Sequence, residues 1–162
     1  MLNIRPATPA DASLILEFVR ELAEYERAPE QVSATEADLL RDGFGAQPKY
    51  RVVIAEWERK PAGFAFFYNN YSTWRGHPGL HLEDLFVRPE FRGKGIGKAL
   101  LAHVAGIAVR ENCYGVRWNV LDWNTPASDF YKSLGATFLN EWLTVRLDGE
   151  PLKRLAAESR AA

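Results

Sequence analysis

The sequence predicts a single α/β (α+β) domain over residues 1–162, built on a mixed central sheet, and three observations carry that prediction. Leu80–Leu101 reads LHLEDLFVRPEFRGKGIGKALL, which is an apolar run, a loop rich in glycine and cations, and then helical periodicity from Ile96. Tyr50–Trp57 and Ala62–Tyr71 are both rich in β-branched and aromatic residues, and Glu58-Arg59-Lys60-Pro61 between them reads as a hairpin turn. Gly115–Leu121 supplies another strand after the helix, and strand, helix, strand within one sheet implies a right-handed parallel crossover. That connection places the glycine loop at the carboxyl end of a parallel strand, where open sheets bind ligands.

The remaining elements follow in order. Leu2–Arg5 is a short strand candidate, and Thr8-Pro9-Ala10-Asp11 then combines a cap, a Pro at the first helical position and an acid in the first turn. Leu14, Ile15, Phe18, Val19 and Leu22 mark one apolar face of the helix that follows, which ends near Arg27. Ser33-Ala34-Thr35-Glu36 reads as a capping box opening a short helix to Arg41. Ser72–Gly79 is a loop holding Trp74, Arg75 and His77. After the central unit, Asp122-Trp123-Asn124-Thr125-Pro126 opens a helix that stops at Gly135. Thr137–Leu147 is strand-like with a break at Asn140-Glu141, and Glu150–Ala157 has the pattern of a terminal helix.

The loop carries the chemistry. Arg92, Gly93, Lys94, Gly95, Ile96, Gly97 and Lys98 put three glycines at alternate positions where a helix begins, so no side chain keeps a ligand from the backbone. The first-turn amides of that helix lack intrahelical partners and carry the positive end of its dipole, a setting for phosphate. A Walker loop would need Gly at Arg92 and Ser or Thr at Ala99, and a dinucleotide fingerprint would need Gly at Lys98, so both are excluded.

Composition narrows the classes. A hydrophobic content of 47% with 12% aromatic residues is that of a globular chain, and a formal net charge of -1 offers no global field for nucleic acid. A cationic substrate would have to be drawn by a local acidic cluster. Cys113 is the single cysteine, which excludes an intrachain disulfide and makes the cytoplasm the expected compartment. Arg5, Pro6 and Asp11 stand where a signal peptide would need an apolar core, and no run approaches a membrane span, so a soluble chain with no membrane partner is expected. His77, His81 and His103 lack the spacing of metal ligands, so no metal is expected.

Arg92, Gly95 and Gly97, after a strand ending in Leu85-Phe86-Val87, resemble the coenzyme A pyrophosphate loop of the GNAT superfamily of N-acetyltransferases. Asn124 with Phe130-Tyr131-Lys132 and Gly135-Ala136 is similar to the second half of that family. Leu22–Glu26, Asp42–Gly45, Leu82-Glu83-Asp84 and Glu141-Trp142 resemble the spermidine/spermine (diamine) branch, and Val120–Asn124 is closer to the thialysine type. The resemblance implies a GNAT fold with a sheet of six or seven strands flanked by helices, acetyl-CoA as cosubstrate and a homodimer. It further implies cofactor contacts from Leu85, Phe86, Val87, Arg92, Gly93, Lys94, Gly95, Ile96, Gly97, Lys98, Asn124, Pro126 and Tyr131, with the Phe86 and Val87 amides holding the thioester carbonyl. Tyr25, Glu26, Glu83, Asp84, Glu141 and Trp142 are then candidates for the amine site, acids and aromatics both suiting a cation.

Transfer to an amine poses two protonation problems. An alkylammonium near pKa 10.4 must lose a proton, which costs about 4.6 kcal/mol at pH 7. Glu83, expected to be desolvated in an apolar strand, is the candidate base, although read alone it is equally a carboxylate paired with an Arg. His81 alternates with Glu83 on one strand face and is placed to join a proton relay, whereas Asp84 falls on the opposite face unless a bulge intervenes. The departing thiolate is the second problem, and Tyr131 is the candidate acid. A phenol near pKa 10 is weaker than a thiol near 8.5, so full transfer is uphill by about 2 kcal/mol and hydrogen bonding is the larger part of its role. Cys113 sits at a helix end without a neighbouring base and reads as a buried thiol. The sequence therefore points to acetyl transfer onto a small amine, with two alternatives: a non-catalytic coenzyme A or polyamine binding module, or an acetyltransferase acting on a protein lysine or N-terminus.

Overall fold

Strands and helices follow one another in the order β, α, α, β, β, β, α, β, α, α through the computed structural model, which describes residues 1–159. Residues 160–162, the end of the expected domain, lie outside the described residues. By internal packing the chain divides into two units, Met1–Leu121 and Asp122–Ala162.

In the first unit β1 (Leu2–Pro6) leads into α1 (Ala12–Tyr25) through a single 3-10 turn, Pro9–Asp11. The Thr8 amide and hydroxyl donate to Asp11 at 2.8 and 2.9 Å, and Arg5 grips the same carboxylate with two donors at 2.8 and 2.9 Å. That Arg5 fork, ahead of the Thr8 bonds, holds the Asp11 carboxyl well below the usual range although burial opposes it. α2 (Glu36–Gly43) follows, and its box is made by Thr35 and Asp38, not by Ser33 and Glu36 as the pattern suggests. Both pairs have the right spacing; the helix starts two residues later because Thr35 is the residue with extended backbone before it.

β2 (Arg51–Trp57), β3 (Lys60–Ser72) and β4 (His77–Val87) form an antiparallel meander, α3 (Ile96–Arg110) crosses over, and β5 (Val116–Arg117) pairs with β4 in parallel. The sheet runs β1-β2-β3-β4-β5, a mixed sheet flanked by helices as expected, with five strands among the described residues where six or seven were expected. β5 is two residues long where seven were expected, because its ladder with β4 stops at His81↔Arg117. β4 there enters a bulge, which bends a strand away from its neighbour.

Pleating sorts the core into two layers. Val52, Ile54, Phe64 and Phe86 join Ile15, Leu16, Phe18 and Leu22 of α1 in one cluster. Phe18 stacks on Phe64 at 5.1 Å between ring centres and meets Phe86 edge-on at 6.4 Å. The alternate residues Val53, Ala55, Ala65, Phe67 and Leu82 are also buried, and α3, through Ile96, Leu100, Leu101, Val104 and Ala108, packs on β3 and β4.

The second unit contains α4 (Thr125–Ser133) and α5 (Gly149–Ala157). The strand expected over Thr137–Leu147 does not form. Leu143 and Val145 are 85% and 89% exposed, and no described strand takes up the hydrogen bonds that a ladder would require. No helix among the described residues is long and apolar enough to cross a membrane.

Gly63 lies opposite Val87 in the β3–β4 ladder, and a Cβ there would stand 2.3 Å from the Phe86 carbonyl oxygen. Gly63→Ala should therefore destabilise the protein by about 1–3 kcal/mol, seen as a lower urea midpoint at unchanged m-value. An unaltered midpoint would mean that the two strands yield at this point.

Candidate active site

β4 is the strand on which the candidate site is built, and its register with β3 decides which side chains meet. Phe67 pairs with Leu82 and the next residue, Phe66, pairs with Asp84, so Glu83 is the extra residue of a β-bulge. A regular strand would turn Glu83 and Asp84 to opposite faces. The bulge resets the alternation. His81, paired with Tyr68, lies on the face of the sheet that carries α1, and beyond the bulge Asp84, paired with Phe66, lies on that same face. Both carboxylates can then turn to one side.

They are buried to different extents. The Glu83 side chain is 52% exposed, so the expected desolvation is not found, and its Oε2 lies 3.3 Å from His81 Nε2. Its partner is thus a histidine and not an arginine. The Tyr68 ring lies 5.0 Å from the imidazole, and burial, followed by the Glu83 charge, pushes the Tyr68 phenol up. Asp84 is half-buried. Burial first, then Glu83 and Glu26, push its carboxyl up to about 7. Glu26, the residue closing α1, is itself raised by burial. Glu26, Glu83 and Asp84 thus form one acidic group drawn from a helix end and a bulge.

α1 and the glycine loop are tied at the same end of the sheet. The Arg92 guanidinium lies 5.0 Å from the Tyr25 ring centre and 5.8 Å from that of Phe86, and its Nε donates to the Val87 carbonyl at 2.9 Å. One face of Tyr25 is therefore taken by Arg92. Arg88, just past β4, reaches back to Glu17 and Glu21 of α1 and covers the Phe18 ring at 4.8 Å. Sequence reasoning missed this clamp and the Tyr68–His81 contact; the i, i+4 spacing of Glu17 and Glu21 was the available signal for the first.

Gly93 and Gly95 both adopt positive φ, +74° and +76°, and a Cβ on either would meet nothing within 4 Å. Gly95 is the residue from which α3 starts, so the amides of its first turn have no carbonyl of the preceding turn to meet. Lys94 is turned to the Glu90 carbonyl at 3.0 Å. The strand side of the cradle follows from alternation. The Arg88 amide donates to Ala62 in β3, so the amides of Val87 and Leu85 point away from β3, to the side on which β5 has ceased to pair, and that of Phe86 points into the ladder. Of the two amides expected to meet a thioester, that of Val87 points to this open side, as does that of Leu85, and that of Phe86 does not. The backbone therefore fits a ligand that combines an anionic pyrophosphate with an extended chain bearing carbonyls.

In the second unit Asn124 is buried and its Oδ1 caps α4 from the Ala127 amide at 3.4 Å, with Pro126 in the first turn. Tyr131 is buried on α4 with its ring 5.4 Å from that of Phe130. Glu141 and Trp142 are exposed on the irregular segment before α5. Among the described residues no group of three or more His, Cys, Asp or Glu could hold a metal ion.

Comparison with known proteins follows the same lines. Residues 15–136 match the profile of the acetyltransferase (GNAT) family. Over 166 residues the chain is 42% identical to a thialysine N-epsilon-acetyltransferase of Bos taurus, across 96% of this chain and 97% of that protein. It is 36% identical to spermidine/spermine N(1)-acetyltransferase-like protein 1 of Homo sapiens, across 96% of this chain and 24% of that longer protein. An integron cassette protein from the mobile metagenome of V. cholerae superposes with a TM-score of 0.80 at 30% identity, covering 98% of each chain.

Gly95→Ala places a side chain in a left-handed conformation at about 1–2 kcal/mol, a strain borne by the loop geometry that presents the amides. By isothermal titration the dissociation constant for coenzyme A should rise about tenfold. Unchanged affinity would remove the loop from the pyrophosphate site.

Proposed function

We propose a small primary amine as the acceptor for this chain, which belongs to the acetyltransferase (GNAT) family and is an N-acetyltransferase. The donor in this proposal is acetyl-CoA, and the amine is a diamine, a polyamine or a thialysine- or lysine-like amino group, attacked directly in a ternary complex. The observation that carries the choice of acceptor is the acidic group Glu26, Glu83 and Asp84, gathered on one face of the sheet beside the open glycine loop. Three carboxylates around one small site favour a compact cation and disfavour a neutral alcohol.

Acetyl-CoA, when bound, supplies the activated acyl group. The first-turn amides of α3 and the Gly93–Lys98 loop bind its pyrophosphate in this reading, and the Leu85 and Val87 amides receive carbonyl oxygens along the opened edge of β4. The acid pair at the bulge takes the ammonium proton. Glu83 is the base named by the sequence pattern, and Asp84, one residue on, competes for the same proton. Tyr131 carries the acid role by its motif, Asn124 and Pro126 belong with the cofactor, and Tyr25, Glu141 and Trp142 with the amine. A cytoplasmic homodimer of single-domain chains completes the proposal, and sedimentation tests the dimer.

Thiol release from acetyl-CoA with spermidine, putrescine, thialysine, lysine and a lysine peptide tests the acceptor. Release with one or more of the free amines is expected; release with the peptide alone would move the acceptor to protein lysine, and no release at all would leave a binding module. Tyr131→Phe should lower turnover well over tenfold at nearly unchanged coenzyme A affinity, since the phenol acts at the leaving group. Unchanged turnover would remove Tyr131 from the mechanism.

A further inference from the structure

Two arginines follow β4, one on either side of the short 3-10 turn Pro89–Phe91, and both reach the same flank of α1. Arg88 is paired with Glu17 and Glu21, and the Arg92 guanidinium lies 5.0 Å from the Tyr25 ring centre. Glu17, Glu21 and Tyr25 recur at every fourth residue, so they form one row along the helix with Tyr25 as its last member. The two arginines are therefore successive rungs between the strand end and α1. Glu26, the next residue, caps the helix, and Arg27 reverses the chain at φ +63°, with the Ala28 amide donating to the Ala23 carbonyl at 2.9 Å. A residue other than glycine is strained in that conformation and keeps it only where its surroundings hold it there.

The family pattern places Arg92 among the cofactor contacts, yet its donors are engaged elsewhere. Its amide donates to the Pro89 carbonyl at 3.1 Å and its Nε to the Val87 carbonyl at 2.9 Å, while the guanidinium lies over both the Tyr25 and the Phe86 rings. Lys94, the next cation of the loop, is likewise turned to the Glu90 carbonyl. The first two cations of the loop thus serve the protein itself.

We propose that Arg92 is a positioning residue for the acceptor side of the reaction: by holding Tyr25 it fixes the last turn of α1 and sets where Glu26 stands in the amine site. This rests on the small-amine reading above and names a residue of the glycine loop that shapes the amine's pocket. The role of Tyr25 changes with it. A ring that already faces one cation is a poorer host for a second, so Tyr25, 38% exposed, acts as a wall and leaves the ammonium to the carboxylates. Glu26 comes from α1, whereas Glu83 and Asp84 belong to the bulge of β4. Release of the last turn of α1 would displace one acid of the three and leave the bulge and the glycine loop in place. The loss should then appear in the hold on the amine, with the hold on coenzyme A preserved.

The test is a double-mutant cycle of Arg92→Gln, Tyr25→Leu and the pair, with Tyr25→Phe as the variant that keeps the ring. Hydrogen exchange reads the helix end with no ligand present. The Glu26, Arg27 and Ala28 amides, which close α1 on Leu22, Glu24 and Ala23, should exchange about tenfold faster or more in Arg92→Gln and in Tyr25→Leu. In acetyl transfer to the best amine of the panel, KM for the amine should rise about tenfold in each of these variants and no further in the double variant, with kcat falling less than about threefold. By isothermal titration the dissociation constant for coenzyme A should stay within about twofold in Arg92→Gln. Tyr25→Phe should recover most of what Tyr25→Leu loses, in exchange and in KM alike. If Arg92→Gln weakens coenzyme A binding about tenfold and leaves exchange at the helix end unchanged, the side chain belongs to the cofactor and the proposal is overturned. Additive rises in KM, or a Tyr25→Phe as damaging as Tyr25→Leu, also overturn it, since Arg92 would then not be acting through the ring. Should the wild-type protein acetylate none of the amines, the small-amine reading falls and takes the acceptor role of Arg92 with it, even where exchange shows that Arg92 holds α1.

Discussion

The extra residue at Glu83 is the constraint from which the site follows. Without it, β4 would present Leu80, Leu82, Asp84 and Phe86 on a single face, and either Phe86 would leave the Phe18–Phe64 cluster or Leu80 and Leu82 would leave the opposite layer. The bulge lets each apolar residue reach its own layer: Leu80 and Leu82 are almost wholly buried outside the α1 cluster, and Phe86 is buried within it. The polar residues at the changeover are carried along. Hydrophobic burial on both sides of the sheet thus enforces a register that puts two carboxylates on one face, and that register does not depend on any attraction between them.

The same irregularity opens the strand. Once β4 bends, its ladder with β5 ends at His81↔Arg117, and the Leu85 and Val87 amides lose the neighbour that a regular sheet would give them. Exposed amides at a sheet edge are a liability unless a ligand or loop meets them. Here they lead directly to the Gly93–Gly95 turn, whose positive φ values expose the next set of donors. Arg88 and Arg92 hold this end together, one clamped on Glu17 and Glu21, the other between Tyr25, Phe86 and the Val87 carbonyl. Each interaction alone is worth only about 1 kcal/mol. Together they fix the end of α1, and hence Glu26, beside the bulge.

The legible parts of the chain were those written in local chemistry. The glycine loop declares itself because only glycine tolerates φ near +75° before a helix, and Thr8 with Asp11 declares a helix start because the cap closes within four residues. The illegible parts depend on partners far along the chain. No residue type within Leu82-Glu83-Asp84 marks a bulge; it is imposed by packing against Phe66, Phe67 and the two core layers. Thr137–Leu147 alternates like a strand, and alternation records a preference for a two-faced surface without supplying the neighbouring strand that makes one. Likewise Glu83 in an apolar run suggests desolvation, yet the outward turn at the bulge leaves it half exposed and sends the burial to Asp84.

Holding an acid such as Asp84 near neutral pH has a thermodynamic sign. A carboxyl whose folded value is about 7, against an ordinary 3.8, opposes folding increasingly as pH rises between those values, by at most a few kcal/mol. A chain whose formal charge is only -1 does not need three acids together for solubility, and a neutral side chain at position 84 would relieve the strain. The aromatic stack beneath, Phe18 on Phe64 with Phe86 at its edge, is well able to offset a penalty of that size. The penalty also shrinks as soon as a cation enters, since a positive charge at contact lowers the carboxyl that its absence keeps high. Core packing thus maintains an acidic group that is poorly satisfied alone, and its relief by a bound cation can contribute directly to affinity.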